Sequence, residues 1–131
     1  MTLQERLLAV LGEVLPVTEE ADGAITVRHE GAPVSLRVVP IADDLELVSL
    51  STVLAWDMAL TKAVRAKIAG YARDSMLGSV ILLEKKSQAD VLLRYNFPGS
   101  GLSDDALRTL ILMVLGIGAD IRRELMPAKS P

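Results

Sequence analysis

Apolar positions recur along this chain with two different periods, and the switches between them divide it into elements. Leu3, Leu7, Val10, Leu11 and Val14 fall on one stripe at helical spacing. Thr2 and Glu5 stand three apart, as in a capping box where each side chain satisfies a backbone N–H of the first turn. The pattern predicts a helix from Leu3 to Leu15, ended by Pro16. The period then drops to two. Ile25 and Val27 alternate with Thr26 and Arg28, and Val34, Leu36 and Val38 with Ser35 and Arg37. Glu30-Gly31 lies between, where glycine accepts the positive φ of a tight turn. This reads as a β-hairpin. Pro40 to Asp44 reads as a second turn and Leu45 to Leu54 as a third strand.

Asp57 is placed to N-cap a second helix running from Met58 to Met76, with Leu60, Val64, Ile68 and Tyr71 as its apolar stripe and Gly78 beyond its end. Val80 to Lys85 is apolar on both faces, the signature of a covered central strand. Val91, Leu93, Tyr95 and Phe97 line one face of the next strand, after a turn at Lys86 to Ala89, and Pro98 closes it. The last helix has the fullest start signal: Ser103 as N-cap, Asp104 and Asp105 at the positive end of the helix dipole, and Leu102 with Leu107 as a hydrophobic staple. It runs to Leu125, with Arg122 and Arg123 near its negative end.

The expected order is α-β-β-β-α-β-β-α. Short turns between the strands imply a mostly antiparallel, five-stranded sheet whose covered face is packed with helices, an α+β fold. Residues 1–125 read as one domain and 126–131, with two prolines, as a flexible tail.

Composition narrows the chemistry. The 131 residues include no cysteine, which removes disulfides, thiolate nucleophiles and sulfur-ligated zinc. Glu5 and Arg6 stand where a secretory signal would be apolar. The longest uncharged stretch, between Arg108 and Asp120, is eleven residues, against the roughly 20 of a membrane helix. A cytoplasmic protein without membrane contact is expected. The net charge is −3. It is unevenly spread: nine acids and two bases from Glu13 to Asp57, seven bases and three acids from Met58 to Tyr95. Opposite faces of opposite sign help to choose partners.

No catalytic constellation emerges. The one histidine, His29, ends a hairpin strand with no nucleophile or orienting partner beside it. Asp43-Asp44 sits in a turn and Asp104-Asp105 in a helix first turn, and neither has calcium-loop spacing. Gly99-Ser100-Gly101 precedes a helix, but Leu102 and two acids follow it where a phosphate loop needs Lys and Ser/Thr. No metal, cofactor or catalytic residue is expected. Lys62, Arg65, Lys67 and Arg73 give the second helix a basic side, yet the chain is acidic overall and poor in base-stacking aromatics, which disfavours nucleic acid. Leu110 to Ala119 is apolar nearly all round and must be covered on more than one side, by the first helix or by a second subunit.

The element order, and the run from Val91 to Pro98 followed by Gly101-Leu102-Ser103 opening the last helix, resembles the type III secretion chaperone-like fold and, within it, the YbjN family related to the Tir-chaperone group. The resemblance spans Leu3 to Leu125. It implies a small bacterial homodimer that binds a protein client without ATP, as a chaperone or a regulator, and it carries over no catalytic residue. Leu60, Val64, Ile68 and Tyr71 are the candidate dimer interface, because alanines elsewhere on that helix would admit a second helix. Trp56, Met58, Lys62 and Arg65 are the candidate partner-binding residues. A nucleic-acid-associated regulator, and a small-ligand binder or enzyme subunit, are the alternatives.

Overall fold

The computed structural model describes residues 1–126. Among these lie three helices and six strands: α1 (Leu3–Gly12), β1 (Val17–Glu19), β2 (Ile25–His29), β3 (Ala32–Ala42), β4 (Leu45–Ala59), α2 (Lys62–Asp74), β5 (Ser79–Lys85), β6 (Gln88–Pro98) and α3 (Asp104–Leu125). The strands form one open antiparallel sheet in the order β1-β2-β3-β4-β6-β5. The expected α+β class and antiparallel pairing hold, with six strands in place of five.

The sheet is covered on one face. Ile25, Val27, Val34, Leu36, Val48, Leu50, Leu54, Val91, Leu93 and Phe97 point into a single core, met by Leu3, Leu7 and Leu11 from α1 and by Leu107, Ile111, Val114 and Ile121 from α3. α3 lies across β4, α1 packs beside α3, and α2 lies over β5. The other face is polar at its centre, where the register sets Ser35 opposite Ser51, Arg37 opposite Ser49, and Ser49 and Ser51 opposite Asn96 and Arg94, and carries apolar pairs on either side, Val39 with Leu47 and Val53 with Leu92. The alternation read from the sequence is this division of faces.

Two caps form as the sequence predicts. Thr2 and Glu5 close a reciprocal capping box. The Ser103 side chain accepts from the Ala106 N–H at 3.1 Å, and helix α3 ends at Leu125. Gly118 in α3 is a close-packing point, since a Cβ there would stand 3.1 Å from Leu93 Cδ2. The apolar helix is mostly covered within the chain itself, with Met113 left 54% exposed.

Five expectations need correction. β1, three residues directly after Pro16, is too short to show a period. α1 stops at Gly12, one turn early. β3 runs through Pro40 to Ala42, because a register shift between Pro40 and Ala42 makes room for the proline. β5 is an edge strand; α2 covers the face that carries Val80 and Leu82, and Ile81 and Leu83 lie on the other face, Leu83 46% exposed. Most consequential, Asp57 caps no helix. β4 continues to Ala59, and Thr61 is the N-cap of α2, accepting from Val64 N–H at 3.1 Å. Asp57 instead adopts φ 48° at an irregular stretch of β4. Its N–H donates to Asp90 at 3.0 Å, and its carboxylate accepts from Lys85 Nζ at 2.6 Å. Met58 and Leu60 therefore lie outside the helix. Of the expected tail, Met126 is the C-cap of α3, and residues 127–131 lie outside the described residues.

Candidate functional site

A broad concavity opens between α2 and α3. Tyr71 and Asp74 of α2, the Ser75–Leu77 loop, and Met113, Ile117, Asp120 and Ile121 of α3 line a cleft of 620 Å³. Helical spacing places Met113, Ile117 and Ile121 in a row over two turns of α3. The loop that forms the opposite lip is held from within. Ser75 Oγ lies 2.9 Å from Leu77 O and 3.1 Å from Gly78 O. Gly78 turns the chain into β5 at φ 86°, where a Cβ would stand 3.0 Å from Leu93 Cδ1 and 3.3 Å from the Arg94 carbonyl. At one end the two helices are tied together: the Tyr71 hydroxyl meets the Glu124 carboxylate, and Lys67 Nζ reaches Glu124 O at 3.4 Å. Burial, with the adjacent Glu124 charge, pushes the Tyr71 pKa up to about 12. The lips carry exposed methionines, Met76 at 94% and Met113 at 54%. Unbranched thioether side chains adapt to varied apolar partners. The surface suits apolar contact, and no nucleophile and base converge on it.

A second, smaller groove of 260 Å³ lies at the C-terminal end of α3, lined by Gly31, Ala32, Pro33, Val53, Leu54, Trp56, Arg122 and Met126. Trp56 is 60% exposed there. Arg122 approaches Thr52 Oγ1 at 3.3 Å and Val53 O at 3.4 Å. Burial lowers its pKa, an effect partly offset by the charge of Glu30.

The structure distributes the residues singled out in the sequence. Val64 and Tyr71 are half-buried against the chain's own core, and Ile68 is 4% exposed within it. Leu60 is half-buried in the β4–α2 connection. What α2 presents outward is Ala63, Ala66, Ala69 and Ala72, interspersed with Lys62, Arg65, Lys67 and Arg73. Trp56 sits in the smaller groove, Met58 packs against the core, Lys62 is exposed on α2, and Arg65 is ion-paired to Glu84 at 2.6 Å. These four do not form one surface with the cleft. Of the eight candidates, only Tyr71 lines it.

His29 Nε2 lies 3.9 Å from Glu30 Oε2, beyond hydrogen-bonding distance. Among the described residues no three His, Asp or Glu side chains are grouped to hold a metal. Asp104 pairs with Arg6 and Asp105 with Arg108, each at 2.9 Å. Ser100 Oγ accepts from Glu46 N–H at 2.7 Å, and Gly99 N–H donates to Glu46 O at 2.9 Å, so this glycine-containing loop is a clasp on β4. Sequence reasoning did not mark Met113, Ile117 or Arg122 as surface-forming. Met113 stands in a run where every neighbour is apolar, so periodicity could not mark it as the exposed member.

No helix among the described residues is long and apolar enough to cross a membrane. No protein-family model matches the chain, and no curated protein matches it. Solved structures do. YbjN from E. coli, described as "a putative transcription regulator", superposes with a TM-score of 0.58 at 11% identity, over 91% of this chain and 86% of that one. An uncharacterized protein from Methanothermobacter thermautotrophicus superposes with a TM-score of 0.59 at 15% identity, over 94% of this chain and 98% of that one. At such identities the likeness is one of fold, and the fold of this chain is YbjN-like.

Proposed function

We propose that this chain is a non-enzymatic protein-binding module of the secretion-chaperone type, acting in the cytoplasm as a homodimer that holds an unfolded protein client on apolar surface. The observation that carries the reading is the α2–α3 cleft. An exposed, methionine-lipped apolar concavity marks a binding surface more than a solvated one. Two turns of α3 offer successive apolar side chains to a partner, and Met76 can fold over what enters. For the dimer, the stripe of Leu60, Val64, Ile68 and Tyr71 acts as support from beneath, and the outward alanines of α2 make the helix contact. Lys62 and Arg65, exposed at the start of α2, would then meet a client that runs beyond the cleft, whereas Trp56 lies apart in its own groove and Met58 is packed against the core.

YbjN's description as a regulator makes DNA the rival partner. Arg65 is paired to Glu84 and Arg73 to Asp74, and Lys67 reaches a carbonyl. Of the four bases on α2, Lys62 alone makes no such contact among the described residues, which favours a protein partner over phosphates. Two measurements test the reading. Light scattering at micromolar concentration should give twice the mass of one chain, reverting to one for Ala66→Arg. Fluorescence anisotropy should show binding to labelled, reduced and carboxymethylated α-lactalbumin, a permanently unfolded probe, with Met76→Asp/Met113→Asp losing it. A monomer removes the dimer, and failure to bind the probe removes the client. Filter binding to duplex DNA that weakens steeply with salt would replace both with the nucleic-acid reading.

A further inference from the structure

The groove beside Trp56 combines features that general protein binding does not require. Arg122 lines it, yet among the described residues its guanidinium has no carboxylate partner. Its two contacts are a hydroxyl and a carbonyl, at 3.3 and 3.4 Å. Glu30, whose charge acts on Arg122 through space, is engaged by Arg123 Nη1 at 2.5 Å, and Asp120 is held by the same Arg123. Thr52 cannot serve as an anion's substitute: its hydroxyl donates to Pro33 O at 2.9 Å. A partly buried guanidinium is a fork of donors shaped for two carboxylate oxygens, and it gains most where water is partly excluded. Around it the walls are apolar: Pro33, Val53, Leu54, Met126 and the exposed ring of Trp56. At 260 Å³ the groove falls below the range of drug-sized sites and suits a body the size of one amino-acid residue.

We infer that the Trp56–Arg122 groove binds a small carboxylate borne on an apolar body, with the carboxylate on the Arg122 guanidinium and the body against the Trp56 ring. The site shares no lining residue with the α2–α3 cleft, so it stands or falls apart from the client reading. The chemistry could be presented by a free organic acid or by the last residue of a peptide.

Trp56 is the chain's single tryptophan, so its emission and its indole N–H resonance report on this groove alone. The full chain is titrated with N-acetyl-leucine, which mimics a peptide terminus, with 4-methylpentanoate, a free acid of similar body, and with N-acetyl-leucinamide, which lacks the charge. Both acids should give saturable changes in the millimolar range or tighter, and N-acetyl-leucine should bind at least tenfold more tightly than its amide. Arg122→Gln should erase that preference while leaving the amide response unchanged, and Arg122→Lys should keep part of it. A tenfold advantage of N-acetyl-leucine over 4-methylpentanoate assigns the site to peptide ends, and equal or reversed affinity assigns it to free acids. An amide that binds as well as the acid, or no saturable response to either acid, overturns the inference. Those two comparisons use the unaltered chain, so they hold even if Arg122→Gln fails to fold.

Discussion

Gly99 and Gly116 should respond in opposite directions to the same substitution. Gly99 is buried where the β6–α3 loop presses onto the core, and a Cβ built there stands 2.8 Å from Val48 Cγ2 and 3.0 Å from Leu3 Cδ2. Both neighbours are themselves buried, Leu3 at 4% and Val48 at 0%, so neither is a loose side-chain end that can swing away. Overpacking of this kind costs about 1–3 kcal/mol. Its φ is not left-handed, so alanine recovers about 0.4–1 kcal/mol by restricting the unfolded chain. The net expectation for Gly99→Ala is a loss of roughly 0.5–2 kcal/mol. Gly116 lies in the interior of α3 with nothing within 4 Å of its Cβ position. There alanine should stabilise by about 0.5–1 kcal/mol, from backbone entropy alone. The two variants should therefore straddle the wild type in urea unfolding followed by far-UV circular dichroism, with m-values unchanged. In thermal melts they should differ by several degrees, at about 4 °C per kcal/mol for a domain of this size. A Gly99→Ala protein as stable as the wild type would refute the reasoning, because it would mean that the loop lifts off β4 at no cost. A destabilised Gly116→Ala would refute it from the other side, by implying that something covers that flank of α3.

Three further outcomes follow from the same contacts. Ser103→Ala should cost about 1 kcal/mol by leaving the Ala106 N–H without its acceptor, readable as a lower urea midpoint; no loss would mean that water caps α3 equally well. Asp90 has its pKa lowered by the Asp57 N–H first and by Lys85 second, so its contribution is full above the unfolded value of about 3.9 and is lost as pH falls through the folded value. Asp90→Asn should accordingly lower the melting temperature at neutral pH and converge with the wild type at strongly acid pH, and a gap that persists there would contradict the assignment. Tyr71, its pKa raised, should ionise near pH 12 in alkaline difference absorbance at about 295 nm. Its stabilising share is present below pH ~10 and lost as pH rises through the folded value. Glu124→Gln should bring that titration earlier, and no change would place the whole shift on burial.

The start of α2 shows why some of this was legible in the sequence and some was not. Local signals that carry their own hydrogen-bond partner were readable: Thr2 with Glu5, and Ser103 with the first turn of α3, each predict a cap from residues three apart, and both form. Strand faces were readable too, because alternation is a local property and a one-sided sheet enforces it. Asp57 had the right residue type for an N-cap, with an apolar-periodic run behind it. Thr61, four residues on, is an equally good cap by type. The choice between them was made by partners distant in sequence. Asp90 and Lys85 sit on strands that pair only once the sheet exists, and together they hold Asp57 at a left-handed φ that extends β4. The same logic governs the candidate site. Val64, Ile68 and Tyr71 form an apolar stripe whether it faces a core or a second chain, and periodicity does not distinguish the two. β5 beneath the helix decides it, turning that stripe inward and the alanines outward. The cleft follows from this placement. With its apolar stripe spent on β5 and the core, α2 meets α3 chiefly through Tyr71 and Lys67 at Glu124, and the row of Met113, Ile117 and Ile121 is left facing a gap that no residue of either helix fills.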